Sequence, residues 1–493
     1  MLAGYRWLKG TREGNIEPVA RIQPLFTCKS EPHETEELKQ ARELFEGVGD
    51  YALPRRDEAA ILKSLHYYHD TPRAKLPEVE RRKATAAASA KISSWNNKTF
   101  FPGDRNGRRA VLKDCLYSIP KDSHPGFPWC QFGSENGKVI QVQEEAILDA
   151  AEARIDRWAS ADLDALRADP TLSVKTGLRD PVRPFVKGEM HPSRKVDTPR
   201  LIMAISIVDQ LIERYIFQDF STNEKKQYPN YSNMVGFGRS LAHDRSITQK
   251  VRRISERHKL GPTASDVSGW ERRVSPEDLE GVAHVIHGAR TEPSEEWLHY
   301  ALVWAIVSAR PCYVVGDKLY ISHNFGMMPS GTYMTSFGNG IMRIIYALAA
   351  GAYEVVVLGD DCLEWHVDPQ SVVKTYNDWG LVTRDVVTYP DDGRTFCFCS
   401  KFYDSTDEDT PLVIPQSYQK MVASFANQKN RLPSHLVSLK DELKGLPGPL
   451  YTQIIEWAIG LRYVLPPGVE QEDGAEEGPP ATAEEGPIYC WQN

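Results

Sequence analysis

Val355-Val356-Val357-Leu358-Gly359-Asp360-Asp361-Cys362-Leu363-Glu364-Trp365 reads as strand, tight turn, strand, with two adjacent acids at the tip. A β-branched run before a glycine and an apolar run after it give the pattern of a two-stranded hairpin. Most such turns are plain hairpins. Two carboxylates on a turn flanked by buried strands are, however, a good place to hold Mg²⁺. The hairpin needs a third strand to be of use, and Ala264-Ser265-Asp266-Val267, extended to Trp270, supplies a candidate with an acid near its end. An isolated acid there is usually a turn former or a helix cap. Phosphoryl transfer by two metals instead needs carboxylates from two separate strands converging on ions roughly 3.5–4 Å apart.

Between these two elements lies Ser330-Gly331-Thr332-Tyr333-Met334-Thr335-Ser336-Phe337-Gly338-Asn339. A Ser-Gly loop feeds a helix, expected over Thr332 to Ala350 and ended by Gly351. Thr335 and Asn339 are four apart and share a helix face. An uncharged polar stripe on an otherwise apolar helix points to a buried or ligand-facing role.

Asp266 with an acid five residues on, then Ser330-Gly331 with Thr335 and Asn339, then Gly359-Asp360-Asp361, in that order, resemble motifs A, B and C of viral RNA-dependent RNA polymerases. Asp266-Val267-Ser268-Gly269-Trp270 and Cys362-Leu363-Glu364 are most similar to the sobemovirus, polerovirus and barnavirus group. Lys187-Gly188-Glu189 and Lys195 to Ile202 look like motif F. The run Val208 to Arg214 is similar to the same group. Pro125-Gly126-Phe127-Pro128-Trp129 resembles the motif G loop at a template entrance, and Phe396 to Phe402 resembles motif E. The resemblance covers about residues 120 to 405. One position departs from it: the family usually carries Asp where this chain has Glu271.

The resemblance implies an α/β (α+β) right-hand polymerase with fingers, palm and thumb, the palm an antiparallel sheet flanked by helices. The expected division is fingers with an N-terminal extension over 1–260, palm over 261–403 with a fingers insertion near 285–322, thumb over 404–465 and an acidic tail over 466–493. Asp266, Asp360 and Asp361 would hold Mg²⁺, with Mn²⁺ as a substitute. Lys187, Lys195 (or Arg194) and Arg200 would meet the nucleotide triphosphate. Ser330 and Gly331 would lie under the template base, and Glu271, Thr335 and Asn339 would face the incoming ribose. Implied partners are RNA template and nascent strand, NTPs, and a genome-linked viral protein as primer, in the host cytoplasm and in replication complexes held to membranes by other proteins. A reverse transcriptase, which usually lacks the motif B helix, and a catalytically inactive RNA-binding palm are the readings that compete.

Net charge is −8 over 493 residues, which is unusual for a nucleic-acid binder. Most of it sits after Pro466, where Glu470, Glu472, Asp473, Glu476, Glu477, Glu484 and Glu485 occur without Lys or Arg. That tail reads as disordered, leaving a near-neutral body with a locally basic stretch from Arg183 to Lys259. A basic channel in a neutral shell suits RNA. Hydrophobic content of 41% and charged content of 26% fit a globular protein. No run of about 18 apolar residues occurs, so no transmembrane segment is expected. The opening MLAGYRWLKG lacks the apolar core of a signal peptide. Eight cysteines form no CxxC pair; they read as free buried thiols, with Cys397 and Cys399 on one face of a strand. Helices are expected in pieces before about residue 90, over Val142 to Leu166, over Leu201 to Phe217, from a Ser275-Pro276 cap, and from Tyr403 to about Leu465.

Overall fold

The computed structural model describes residues 6–7, 15–22, 34–96, 104–169, 171–238 and 240–464. The acidic tail, Cys28 and Cys490 lie outside them.

Four strands form an antiparallel sheet. Its order is Glu354–Leu358, Asp361–Trp365, Thr263–Val267, Thr383–Thr388. The first two strands are the hairpin, and Val355, Val356 and Val357 are all buried. The helix Thr335–Ala349 packs on this hairpin, and almost all its residues from Phe337 to Ala347 are buried. It belongs to the largest apolar cluster, together with the helices Glu78–Ser89, Pro276–Gly288 and Glu295–Ala309. Ser275 caps the Pro276–Gly288 helix in a reciprocal capping box with Asp278, as its sequence specifies.

Polar groups pin the sheet to the helix from below. Arg343, fully buried, reaches Glu364 at 2.8 Å, and Glu364 also meets His366 and Tyr376 at 2.8 Å each. Burial opposes ionisation of Glu364, but Arg343 and His366 outweigh it and keep its pKa below the ordinary carboxylate range. A buried carboxylate is tolerable when paired and fully hydrogen-bonded in this way.

A second antiparallel sheet joins Ile16–Arg21 to the hairpin Cys312–Val315/Lys318–Ser322. A third holds Thr395–Phe398, Lys401–Asp404 and Leu412–Pro415. The helix Glu36–Leu44 packs against helices from the other end of the chain, Tyr418–Ala426, Pro433–Leu443 and Gly448–Ile459, in a separate core. The first and last described helical segments therefore close on each other. No helix among the described residues is long and apolar enough to cross a membrane.

Several local expectations are corrected. Leu201–Phe217 is not one helix: Leu201–Ala204 is a strand paired with Arg183–Val186, and Ser206 then caps a helix from Ile207 to Lys226 through the amide of Asp209. The 264–270 strand stops at Val267, because Gly269 turns left-handed (φ 64°) and starts a short helix at Trp270. The 142–166 helix is interrupted: the helical run from Asn136 to Ala159 kinks at Gln143 (φ −135°, ψ 17°), and Asp162 caps a separate helix over Leu163–Ala168. After Tyr403 a strand, Leu412–Pro415, precedes the helices. The first 90 residues contain the Ile16–Arg21 strand as well as helices. Cys397 and Cys399 are half-buried and do not share a strand face, because the strand ends at Phe398 and Cys399 lies in a left-handed turn (φ 52°).

Candidate active site

The sheet brings the three acids to one end of its two inner strands. Leu358 pairs with Asp361, so Gly359 and Asp360 form a two-residue hairpin loop with Gly359 left-handed (φ 62°) at its first position. A Cβ on Gly359 would meet nothing within 4 Å, so the demand for glycine here is conformational. On the other side, Leu363 pairs with Ala264 and Glu364 with Thr263. Continuing that register two residues sets Asp361 opposite Asp266. Loss of water pushes the Asp361 carboxyl up to about 7, and repulsion from Asp360 and Asp266 adds to it. Asp360 is raised by desolvation and then by Glu271, with Asp266 contributing. Asp266 is half exposed and accepts from Arg384 Nε at 2.7 Å.

Cations surround this acidic end. Burial opposes the Arg200 guanidinium, but Glu271, Glu189 and Asp360 outweigh it and raise its pKa. Lys195 is lowered by burial and then by Arg384, Arg194, Arg200 and Arg272. Lys195 thus feels four arginines, of which Arg384 and Arg200 also act on the acids. Lys187 instead shares Glu189 with Lys420 and Arg200, at 3.4, 3.2 and 3.8 Å. Arg384 and Arg272 were not marked by any sequence pattern; they arrive through strand pairing and the turn after Gly269.

The loop before the Thr335–Ala349 helix hangs on the Leu201–Ala204 strand. Ser330 Oγ donates to the Leu201 carbonyl at 2.9 Å, and the Met203 amide donates to the Ser330 carbonyl at 2.8 Å. A Cβ on Gly331 would lie 2.5 Å from the Met203 carbonyl oxygen, and its φ is 128°. The helix starts at Thr335 rather than Thr332, because Thr335 Oγ1 donates back to the carbonyls of Pro329 (3.2 Å) and Thr332 (2.9 Å) and closes the loop. The Tyr333 amide is held by Glu213 Oε2 at 2.7 Å. Glu213 also accepts from Trp304 Nε1, and burial raises it to about 7.

Asn339 is buried, and its Oδ1 accepts from Trp270 Nε1 at 3.0 Å, which leaves the amide NH₂ as its other polar group. Glu271, next to Trp270, accepts from Tyr68 OH at 3.2 Å. Tyr68 comes from the N-terminal Glu58–Asp70 helix, a connection no local spacing could signal. The Pro125–Pro128 loop is keyed into the corner after the same Leu201–Ala204 strand. The Ile207 amide donates to the Pro125 carbonyl at 2.8 Å, and a Cβ on Gly126 would come within 2.2 Å of the Ile205 carbonyl oxygen. Pro125, Gly126 and Phe127 are buried and Pro128 is half-buried.

Acceptor-only oxygen groups in excess, with raised pKa values, are the donor set a hard divalent cation takes. Among the described residues no three ligating side chains are already gathered into a metal cluster, and Asp266 is turned onto Arg384.

A family model for viral RNA-dependent RNA polymerase matches residues 32–435. The chain is 25% identical to the protein P1-P2 of Potato leafroll virus, over 86% of this chain and 42% of that protein. It is 26% identical to the replicase polyprotein P2AB of Cocksfoot mottle virus, over 92% and 48%. It is 29% identical to the RNA-directed RNA polymerase of Mushroom bacilliform virus, over 49% and 58%. The chain thus spans less than two thirds of the length of these relatives.

Proposed function

Since the chain belongs to the viral RNA-dependent RNA polymerase family, we propose that it extends an RNA 3′-OH with NTPs on an RNA template. The observation that carries this reading is the meeting of Asp266, Asp360 and Asp361 at one end of the sheet beside Arg200. Asp266, Asp360 and Asp361 would hold two Mg²⁺ ions, with Mn²⁺ as a substitute. When bound, such ions activate the 3′-OH and neutralise the triphosphate.

Arg200 and Lys195, with Arg194 beside them, grip the triphosphate. The guanidinium fork suits bidentate phosphate contact and the ammonium acts as a point charge. Lys187 tunes this grip through Glu189. Arg384 holds Asp266 until the nucleotide's own charge draws it away. The Asn339 amide, fixed by Trp270, offers its NH₂ to the ribose 2′-OH, the group that distinguishes RNA precursors. Glu271 supports that pocket through Tyr68, and Thr335 keeps Ser330 and Gly331 in place under the template base. Pro125–Pro128 shapes the template entrance from behind. Residues 1–260, 261–403 and 404–465 serve as fingers, palm and thumb, and the Glu36–Leu44 helix on the C-terminal helices closes the hand. A short thumb favours protein-primed initiation in replication complexes of the host cytoplasm.

Extension of a primed RNA template with NTPs or dNTPs tests this reading. NTP-dependent extension is expected. Preference for dNTPs would make the chain a reverse transcriptase, and RNA binding without any extension would make it an inactive palm.

A further inference from the structure

On the far side of the hairpin from the acids lies a cavity of about 420 Å³ that the polymerase reading does not use. It opens between the helix Leu241–His258, the segment Pro229–Ser232 and the start of the Glu354–Leu358 strand. Asp360 lies six positions after Glu354, roughly 20 Å of extended chain. The wall carries Lys91, Lys250, Arg253 and Arg257, and Glu354 is the one carboxylate among its described lining residues. Lys91 takes Glu354 at 2.7 Å, with Arg257 at 3.9 Å from the same group. Lys250 has only neutral partners in hydrogen-bond reach: its ammonium donates to the carbonyls of Pro229 and Tyr231, each at 2.6 Å. Burial pulls its pKa down to about 8. Glu354 and Glu224 act on it only from beyond hydrogen-bond reach, and a cation kept out of water without a direct ion pair is stabilised by an incoming anion.

We propose that this cavity binds a phosphorylated small molecule, through a phosphoryl group carrying at least two negative charges. The volume is that of a small-molecule site. Two arginine forks match phosphate oxygens in pairs, and the buried lysine supplies a point charge. In a near-neutral body, a pocket with four cations against one acid is a local positive field that favours anions. The Tyr231 ring in the wall offers a face for the organic part of the ligand. A free nucleotide and the phosphorylated headgroup of a lipid share this chemistry.

The site connects to the catalytic hairpin through the backbone. The Ser232 amide donates to the Lys91 carbonyl, the Val357 amide to the Ser232 carbonyl at 2.9 Å, and the Met234 amide to the Val357 carbonyl at 2.7 Å. The segment that roofs the cavity therefore runs alongside the strand leading to Gly359. A bound phosphate bridging Lys250 and the arginines braces that strand from its distal end.

The test uses the full chain in buffer free of divalent ions. Tripolyphosphate is titrated by calorimetry, and sedimentation is measured with phosphatidylcholine vesicles with and without phosphatidylinositol 4-phosphate. Arg253 and Arg257 are exposed, so Arg253→Glu/Arg257→Glu should fold; Lys250→Met, at a buried position, is the second variant. Expected is a binding event for tripolyphosphate, for the charged vesicles or for both, separate from any tripolyphosphate held at Arg200 and Lys195, that is weakened at least tenfold in the double variant. Binding of tripolyphosphate alone identifies a free ligand, and binding of the charged vesicles alone identifies a headgroup. Equal affinity and stoichiometry in the unmodified chain and the double variant would overturn the proposal. So would variant-sensitive binding of a short RNA with neither phosphate probe engaged, which would make the cavity part of an RNA path. Neither outcome depends on whether the chain extends RNA, so this result and the polymerase assay fail separately.

Discussion

Asn339 uses the two ends of one amide for different purposes. Its oxygen satisfies the indole N–H of Trp270 in a buried setting, and its nitrogen is the group that the proposed function would offer to the ribose. Asn339→Ala is therefore expected to lower stability by about 1–3 kcal/mol, the cost of a buried donor left alone, and to shrink the ratio of kcat/KM for NTPs over dNTPs. Trp270→Phe separates the two effects. In that background the stability cost of Asn339→Ala should largely vanish, because the donor is gone, while the loss of sugar discrimination remains. Urea melts and single-nucleotide kinetics of the four proteins read this cycle. Equal slowing of NTPs and dNTPs by Asn339→Ala would assign the residue to packing. For the acids, Asp360→Asn and Asp266→Asn should each remove more than nine tenths of nucleotide incorporation. Each removes a charge from a site built to gather positive charge, and circular dichroism should show both variants folded. Retained activity in either would overturn the metal assignment.

At the scale of single elements, two glycines make opposite demands. Gly359 has open space around its missing Cβ, so Gly359→Ala should cost only the left-handed backbone penalty, about 1–2 kcal/mol. Gly331 faces the Met203 carbonyl at 2.5 Å, so Gly331→Ala must push the loop off its strand. It should cost more stability than Gly359→Ala in denaturant melts and slow incorporation at least tenfold. The hairpin, the Ser275 cap and the buried helix after Thr335 were legible because their information is local: a turn glycine, a cap and a period. The Leu201–Phe217 run was misread because a short buried strand followed by a buried helix gives one continuous apolar stretch. Only Ser206, an inconspicuous cap, marks the boundary. Thr335 was read as facing a ligand because helical spacing says which residues share a face but not which of them bonds back to the preceding loop. Tyr68, Arg272 and Arg384 reach the site from distant or irregular segments, and nothing in their own neighbourhoods announces it.

Across the whole molecule, stability carries the signature of buried acids. Glu213 ties the loop before Thr335 to the Glu295–Ala309 helix through Tyr333 and Trp304. Its carboxyl, pushed up to about 7 from 4.5, keeps its proton in the folded chain over a range where the unfolded chain has lost it. The folded state then binds more protons, so this group's contribution is fully present below about pH 4.5 and is lost as pH rises through 7. The loss is at most roughly 3 kcal/mol. Asp278, raised to about 6 by burial, runs in the same direction, so the comparison must isolate one group. Glu213→Gln does this: the melting temperature of the unmodified protein relative to the variant should fall between pH 5 and pH 8. A difference that stays flat would mean that Glu213 is ionised throughout.

The clasp between Ser330 and the Leu201–Ala204 strand has a consequence for how nucleotides are judged. Arg200, the proposed phosphate grip, is the residue immediately before that strand, while the loop hanging from it feeds the helix that carries Asn339. Under the proposed function, a pull on the phosphate tail would be felt at the sugar pocket with no domain having to move. The two tests act as a logical conjunction rather than as independent sieves. A ribonucleoside diphosphate, which pulls less on Arg200, should be told from its deoxy counterpart less sharply than the triphosphate is, although the sugars are the same.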